Sequence, residues 1–242
     1  MLKQWNEILK VLKYLKILNE FDIIKRGTFE RYKRKARIMK KYKIIGVLAS
    51  LVLGMTACGT GKDLVGDALM NSVSIAKDGS IESMIVEDFT ESYYNVEDLN
   101  QMIQSTISDY QKVAPESVIS IEACEMVDQK VKVVLKYNDA AAYTGYNSEL
   151  LFVGTIQEAY EAGYDLNMTL TGTDKEATQI SRQELLNMGE NHIFIMENVL
   201  KEGTLRVNCY DNILYTGNGV TAIAKKKADI EPTDGYSVII FK

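Results

Sequence analysis

The sequence predicts an α+β fold: a mostly antiparallel β-sheet with helices on one face, in the order hairpin, helix, hairpin, short helices, C-terminal β-meander. Three observations carry this. Two pairs of alternating runs are separated by tight-turn residues, Asp78-Gly79 and Asp128-Gln129. One long stretch, from Asn95 to Pro115, repeats its apolar residues at helical spacing. The last third is a series of short apolar runs punctuated by Gly203, Gly217-Asn218-Gly219 and Asp234-Gly235. Successive strands joined by short turns usually lie side by side and antiparallel, hence the meander. Strands and helices that are segregated rather than alternating belong to the α+β class.

The elements follow in chain order. Ser72–Ala76 and Ser80–Glu87 flank Lys77-Asp78-Gly79, a hairpin signal because glycine supplies the left-handed backbone a tight turn requires. Asn95 is a helix N-cap by type, with Glu97 and Asp98 in the first turn where the helix dipole favours negative charge. Val96, Leu99, Ile103, Ile107 and Tyr110 then share one face, and Pro115 stops the run. In the second hairpin, Val118–Met126 and Lys130–Tyr137, residues Val131, Val133, Leu135 and Tyr137 alternate with Lys132, Val134 and Lys136, the pattern of a half-buried strand. Asp139-Ala140-Ala141-Ala142 reads as a short helical turn and Leu150–Val153 as a strand. Thr155…Glu158 and Ser181…Glu184 both fit the capping box, in which hydroxyl and carboxylate satisfy each other's backbone N–H groups, so each starts a short helix. The C-terminal strands are His192–Met196, Thr204–Tyr210, Ile213–Thr216, Val220–Lys225 and Tyr236–Phe241.

Charge divides the chain in two. Residues 1–57 carry 14 Lys/Arg against 4 Asp/Glu, and residues 58–242 carry 14 against 29, so a net charge of +10 is followed by one of −15. An acidic domain is repelled by nucleic-acid phosphates and by anionic headgroups, which excludes a nucleic-acid partner and any attachment to membrane through a basic patch. At the junction, Met39-Lys40-Lys41-Tyr42-Lys43 precedes an uncharged, mostly apolar run from Ile44 to Met55, followed by Thr56-Ala57-Cys58-Gly59. A basic start, a short apolar core and small residues at the cut are the three parts of a secretory signal. The core has 12 residues, whereas a spanning helix needs about 20. Met55-Thr56-Ala57-Cys58 resembles the lipobox of bacterial prolipoproteins, with Met in place of the usual Leu. The resemblance implies that 39–57 is a signal peptide cut before Cys58, and that the Cys58 thiol receives diacylglycerol. Two acyl chains give stable anchoring where one does not. The product is thus expected on the extracytoplasmic face of the cell membrane, held by lipid on Cys58. Residues 58–70 form the anchor and a short tether, reaching at most about 45 Å from Cys58 to Asn71, and 71–242 form a single domain.

Residues 1–38 have two readings. Leu2, Trp5, Leu9, Leu12, Leu15 and Leu18 interleaved with lysines make a basic amphipathic helix, suited to a membrane surface. Alternatively translation starts at Met39 and the upstream stretch is an over-extended N-terminus, the preferred reading because Met39–Ala57 alone has the length of a signal peptide. A further alternative keeps 1–38 in the cytosol and leaves the apolar core in place as the anchor.

Chemistry is sparse. His192 is the sole histidine and sits in an apolar strand, so it cannot support a multi-histidine metal site. Ser74-Ile75-Ala76-Lys77 matches the S-x-x-K string of penicillin-recognising enzymes, but in a strand rather than at a helix start and without Lys-Thr-Gly or Ser-Asp-Asn. No Gly-rich phosphate loop or calcium-loop pattern occurs, so no catalytic residue, metal or cofactor is assigned. Cys124 shares its alternation with Ser120 and Glu122, and Cys209 with Leu205 and Val207, which favours two separate thiols over a disulfide. Tyr137, Tyr143, Tyr146, Tyr160 and Tyr164 cluster in the least regular region. Tyrosine offers broad contact area with a polar tip, so Tyr143, Tyr146, Tyr160 and Tyr164 are the candidate binding surface, for an envelope protein or a glycan. The functional expectation is a non-enzymatic, lipid-anchored binding or interaction module. The alternative is an envelope-polymer hydrolase working through paired carboxylates.

Overall fold

The computed structural model of the protein describes residues 69–92, 94–172 and 177–242, with side chains throughout except at 177–179. The export segment, Cys58 and the helix expected within 1–38 lie outside the described residues. The fold is α+β, with two mostly antiparallel sheets.

The first hairpin forms where its turn residues demand it. β1 (Ser72–Ile75) and β2 (Ile81–Asp88) pair antiparallel in full register from Ser72↔Met84 to Ile75↔Ile81. Asp78 accepts bonds from the Ser80 N–H and hydroxyl, and Gly79 takes the left-handed φ of 85°. α1 (Val96–Val113) begins at Asn95, whose side chain accepts from the N–H groups of Glu97 and Asp98. Its buried stripe is Leu99, Ile103 and Ile107, three of the five residues the spacing places on one face. β3 (Ile119–Val127) and β4 (Lys130–Tyr137) turn through Asp128 and Gln129, both at positive φ without a glycine. α2 (Ala140–Asn147), capped by Asp139, is longer than the single turn expected. β5 (Leu151–Thr155) follows, then α3 (Ile156–Glu161) and α4 (Arg182–Leu186), each started by the capping box its sequence announces.

Between these helices lie two strands that the sequence reading leaves as loop, β6 (Met168–Gly172) and β7 (Ala177–Ile180). The C-terminal strands are β8 (His192–Glu197), β9 (Leu205–Asn208), β10 (Ile213–Thr216), β11 (Val220–Ala224), β12 (Lys227–Ile230) and β13 (Tyr236–Phe241). They do not form one meander. One sheet has the order β11-β12-β9-β1-β2-β4-β3 and the other β5-β8-β13-β10-β6-β7, so the chain deals strands to each sheet in turn. Among the described residues, the single parallel pairing joins β1 to β9.

Burial gives the physical reason. β8 and β13 are apolar on both sides, reading buried through Ile193–Met196 and Ser237–Phe241. Such strands need cover on two faces and therefore a central place, and they pair with each other. One face, with Ile193, Ile195, Val238 and Ile240, packs under Ile156 and Ala159 of α3 and Leu185 of α4. The other carries Phe194, Ile239 and Phe241, all fully buried. In the seven-stranded sheet, Val73, Ile81, Leu135, Tyr137 and Val207 fill the inner face. The outer face is polar apart from a patch of Met84, Val86 and Val134 with Leu69 and Ala123 against it.

Candidate functional site

The four candidate tyrosines separate into two groups. Tyr143 and Tyr146 are 4% and 2% exposed, which corrects their assignment to a binding surface. Tyr160 is 43% exposed and Tyr164 half-buried. The reason lies in α2, which turns Ala142, Tyr143, Tyr146 and Asn147 into the core beside β4. Tyr137 meets Tyr143 edge-on with ring centres 5.2 Å apart, and Tyr146 meets Tyr110 of α1 likewise at 5.6 Å. Each phenol has a partner. Asn147 Nδ2 donates to Tyr137 Oη and to the Tyr143 carbonyl, at 3.2 and 3.0 Å. Tyr143 Oη donates to Glu149 at 3.2 Å. Thr106 donates to the Ile103 carbonyl, so the 3.0 Å contact between Thr106 Oγ1 and Tyr146 Oη is donated by the phenol. Burial pushes all three phenols above the ordinary tyrosine range, and the Glu149 charge adds to this at Tyr143. They are neutral structural groups that pin α1 and α2 to β4. Tyr160 carries the Arg182 guanidinium over its ring at 5.9 Å, and Tyr164 packs on Phe152.

His192 stacks on Phe241, its cross-strand neighbour, and meets Tyr210 edge-on. Its Nδ1 is buried and has no hydrogen-bond partner among the described residues. Ser74 lies mid-strand and accepts from Asn208 Nδ2 at 3.0 Å, a strand-to-strand tie rather than a nucleophile. Both described cysteines are free. Cys209 is buried, as its alternation implies, and burial pushes its thiol up to about 12. Cys124 departs from the alternation. A bulge between Ile121 and Ala123 shifts the register, so Cys124 pairs with Val133 on the inner side, with Sγ 4.0 Å from the Val96 carbonyl. Burial, then Glu97 and Glu125, raise its pKa.

The sheet's outer face carries charge. Arg206 and Asp229 form a two-pronged bond at 2.8 and 3.1 Å across β9 and β12. Glu82 of β2 is half-buried there, and desolvation together with the nearby Glu122 holds its carboxyl above the usual range.

Two concavities were not foreseen from sequence. One, of about 490 Å³, is lined by Thr169, Thr171, the Gly217–Gly219 turn, Thr221 and Glu231. The lining mixes threonines and Asn218 with Val220, and Glu231 is its one carboxylate. Gly219 sits at φ 69°, and a Cβ there would strike Thr233. The other, of about 260 Å³, lies between α1 and β3, lined by Gln104, Ile107, Ser108, Gln111, Ile119 and Ile121. The spacing of the helix residues and the alternation of the strand residues could have identified the second. Among the described residues no helix is long and apolar enough to cross a membrane. No protein-family model, curated protein or solved structure matches the chain.

Proposed function

We propose that the protein is a lipid-anchored extracytoplasmic module that binds a partner rather than transforming a substrate. The observation that carries the anchoring is the run Met39–Cys58, in which a basic start, a 12-residue apolar core and Thr56-Ala57-Cys58 stand in the order a lipoprotein signal requires. The change from +10 to −15 at the same point supports a cleaved precursor segment before an acidic product. The described fold starts near Asn71, whose side chain accepts from the Val86 N–H and whose carbonyl accepts from the Arg206 N–H. A lipid on Cys58 would therefore hold the sheet within about 45 Å of the membrane surface.

The test is metabolic labelling of a bacterial host expressing the full chain with radioactive palmitate, together with intact-mass measurement. Labelled protein that begins at a diacylglyceryl Cys58 is expected, and Cys58→Ala should lose the label and accumulate as uncleaved precursor. An unmodified Cys58 in protein that retains residues 39–57 would refute the reading.

A further inference from the structure

β3 is the longest edge strand of either sheet at nine residues, and among the described residues no strand pairs with its outer side. Its backbone is set for one. The Val118 carbonyl accepts from the Asn138 N–H, so position 118 faces β4. In an antiparallel ladder the groups alternate. The N–H and C=O of Ile119 and Ile121 therefore point away from β4. Beyond the bulge, Ala123 pairs with Val134, and the same alternation turns Cys124 and Met126 outward.

α1 runs antiparallel alongside this edge. Its start lies at Cys124 through Val96, and its last turns lie at Ile119 and Ile121 through Ile107. With Leu99, Ile103 and Ile107 turned to the core, the flank at Gln104, Ser108 and Gln111 borders the groove, and Thr106 on the opposite flank meets Tyr146. The groove thus has an apolar floor and an uncharged, hydrogen-bonding wall. On the other face of β3 the exposed side chains are Ser120, Glu122 and Glu125, the last bridged to Lys132 at 2.9 Å.

We propose that this groove captures an extended segment of a partner protein, which adds to β3 as a further strand. Its side chains on the inner side would be apolar, resting on Ile107, Ile119 and Ile121. Those on the outer side would be Lys or Arg, facing Glu122 and Glu125. Strand addition of this kind takes affinity from main-chain hydrogen bonds and specificity from alternate side chains. A second copy is the poorer occupant, because antiparallel pairing of β3 with itself sets glutamate rows against each other, and like charges across a strand pair destabilise it. The inference goes beyond the anchoring reading and does not need it.

The experiment uses the full chain in detergent micelles and two capped nine-residue peptides, alternating Val-Lys and alternating Val-Glu. The Val-Lys peptide should bind saturably and at least tenfold more tightly than Val-Glu. It should slow amide exchange at Ile119, Ile121 and Met126 while leaving Ser120 unchanged. Ile121→Pro removes an outward donor and leaves the β4 ladder intact, so it should cut affinity at least tenfold. Should that variant fail to fold, Glu122→Lys on the exposed face serves instead, and it should erase the preference for Val-Lys without lowering the unfolding temperature. Equal binding of both peptides, binding without protection at β3, or no binding overturns the proposal. Protection of the same amides by concentration-dependent self-association, without peptide, also overturns it. Acyl labelling of Cys58 would be unaffected by any of these results.

Discussion

Replacing Asn147 with alanine should cost more than an ordinary substitution near a helix end. Asn147 is 9% exposed, and its amide bonds both the Tyr137 phenol and the Tyr143 carbonyl. Alanine leaves the buried Tyr137 phenol without its partner, while the Tyr143 carbonyl keeps its backbone bond within α2. A polar group stranded in this way costs about 1–3 kcal/mol. The better helix propensity of alanine returns only about 0.5 kcal/mol. The net loss is therefore about 0.5–2.5 kcal/mol, a sizeable share of the roughly 5–15 kcal/mol that holds a typical domain together. Urea unfolding followed by far-UV circular dichroism would measure it, with the midpoint falling at unchanged slope. The double variant Tyr137→Phe, Asn147→Leu removes one mismatched pair outright and should recover part of the loss, since deleting both partners is cheaper than stranding one. A single-variant loss below about 0.5 kcal/mol, or a double variant worse than the single, would refute the claim that this network holds α2 in place.

Three further predictions follow from neighbouring features. Gly145→Ala places a Cβ against Tyr110 Oη, so it should destabilise the protein by about 1 kcal/mol despite the gain in helix propensity, and Tyr110→Phe should rescue it, as read by thermal unfolding. Asp229→Ala strips the carboxylate from a bidentate guanidinium pair about four-fifths buried and should cost about 1–3 kcal/mol, with Asp229→Asn recovering part. Glu82 and Glu87 titrate above the usual range, chiefly because burial disfavours their charged forms. A raised folded pKa means that the penalty is fully present above that pKa and is relieved as the pH falls through it toward the unfolded value. Glu82→Gln should therefore raise the melting temperature at pH 7 and weaken the gain that the unsubstituted protein shows on mild acidification; an unchanged melting profile would contradict this.

Local chemistry was legible and long-range pairing was not. Asn95, Asp139, Thr155 and Ser181 each announce a helix through their own side chains, and all four cap one. Asp78-Gly79 and the alternation in Lys130–Tyr137 fix strands by short-range rules as well. β6 escaped because Met168 and Leu170 alternate with threonines over only five residues, and β12 because Ala228 and Ile230 follow a lysine run. No local rule says that β9 should join β1 rather than β8. Burial of Tyr143 and Tyr146 likewise depends on where α2 lies, which their spacing alone does not state. One extra residue in β3 reversed the side of Cys124, since strand alternation carries any insertion forward along the strand. The α1–β3 groove was in the sequence as two separate periodicities, and only the register of helix against strand makes them one feature.

The parallel pair β1–β9 has a kinetic consequence. β1 is the first strand of the described chain, yet Ser74 meets Asn208 across 134 residues. Closing so long a loop is slow and comes late. A chain that emerges N-terminus first can form the β1–β2 hairpin at once, but that hairpin's free side must wait for almost the whole remaining polypeptide. Until β9 arrives, the β1 edge is a template open to wrong partners, and completion of the seven-stranded sheet is timed by the arrival of the C-terminal third.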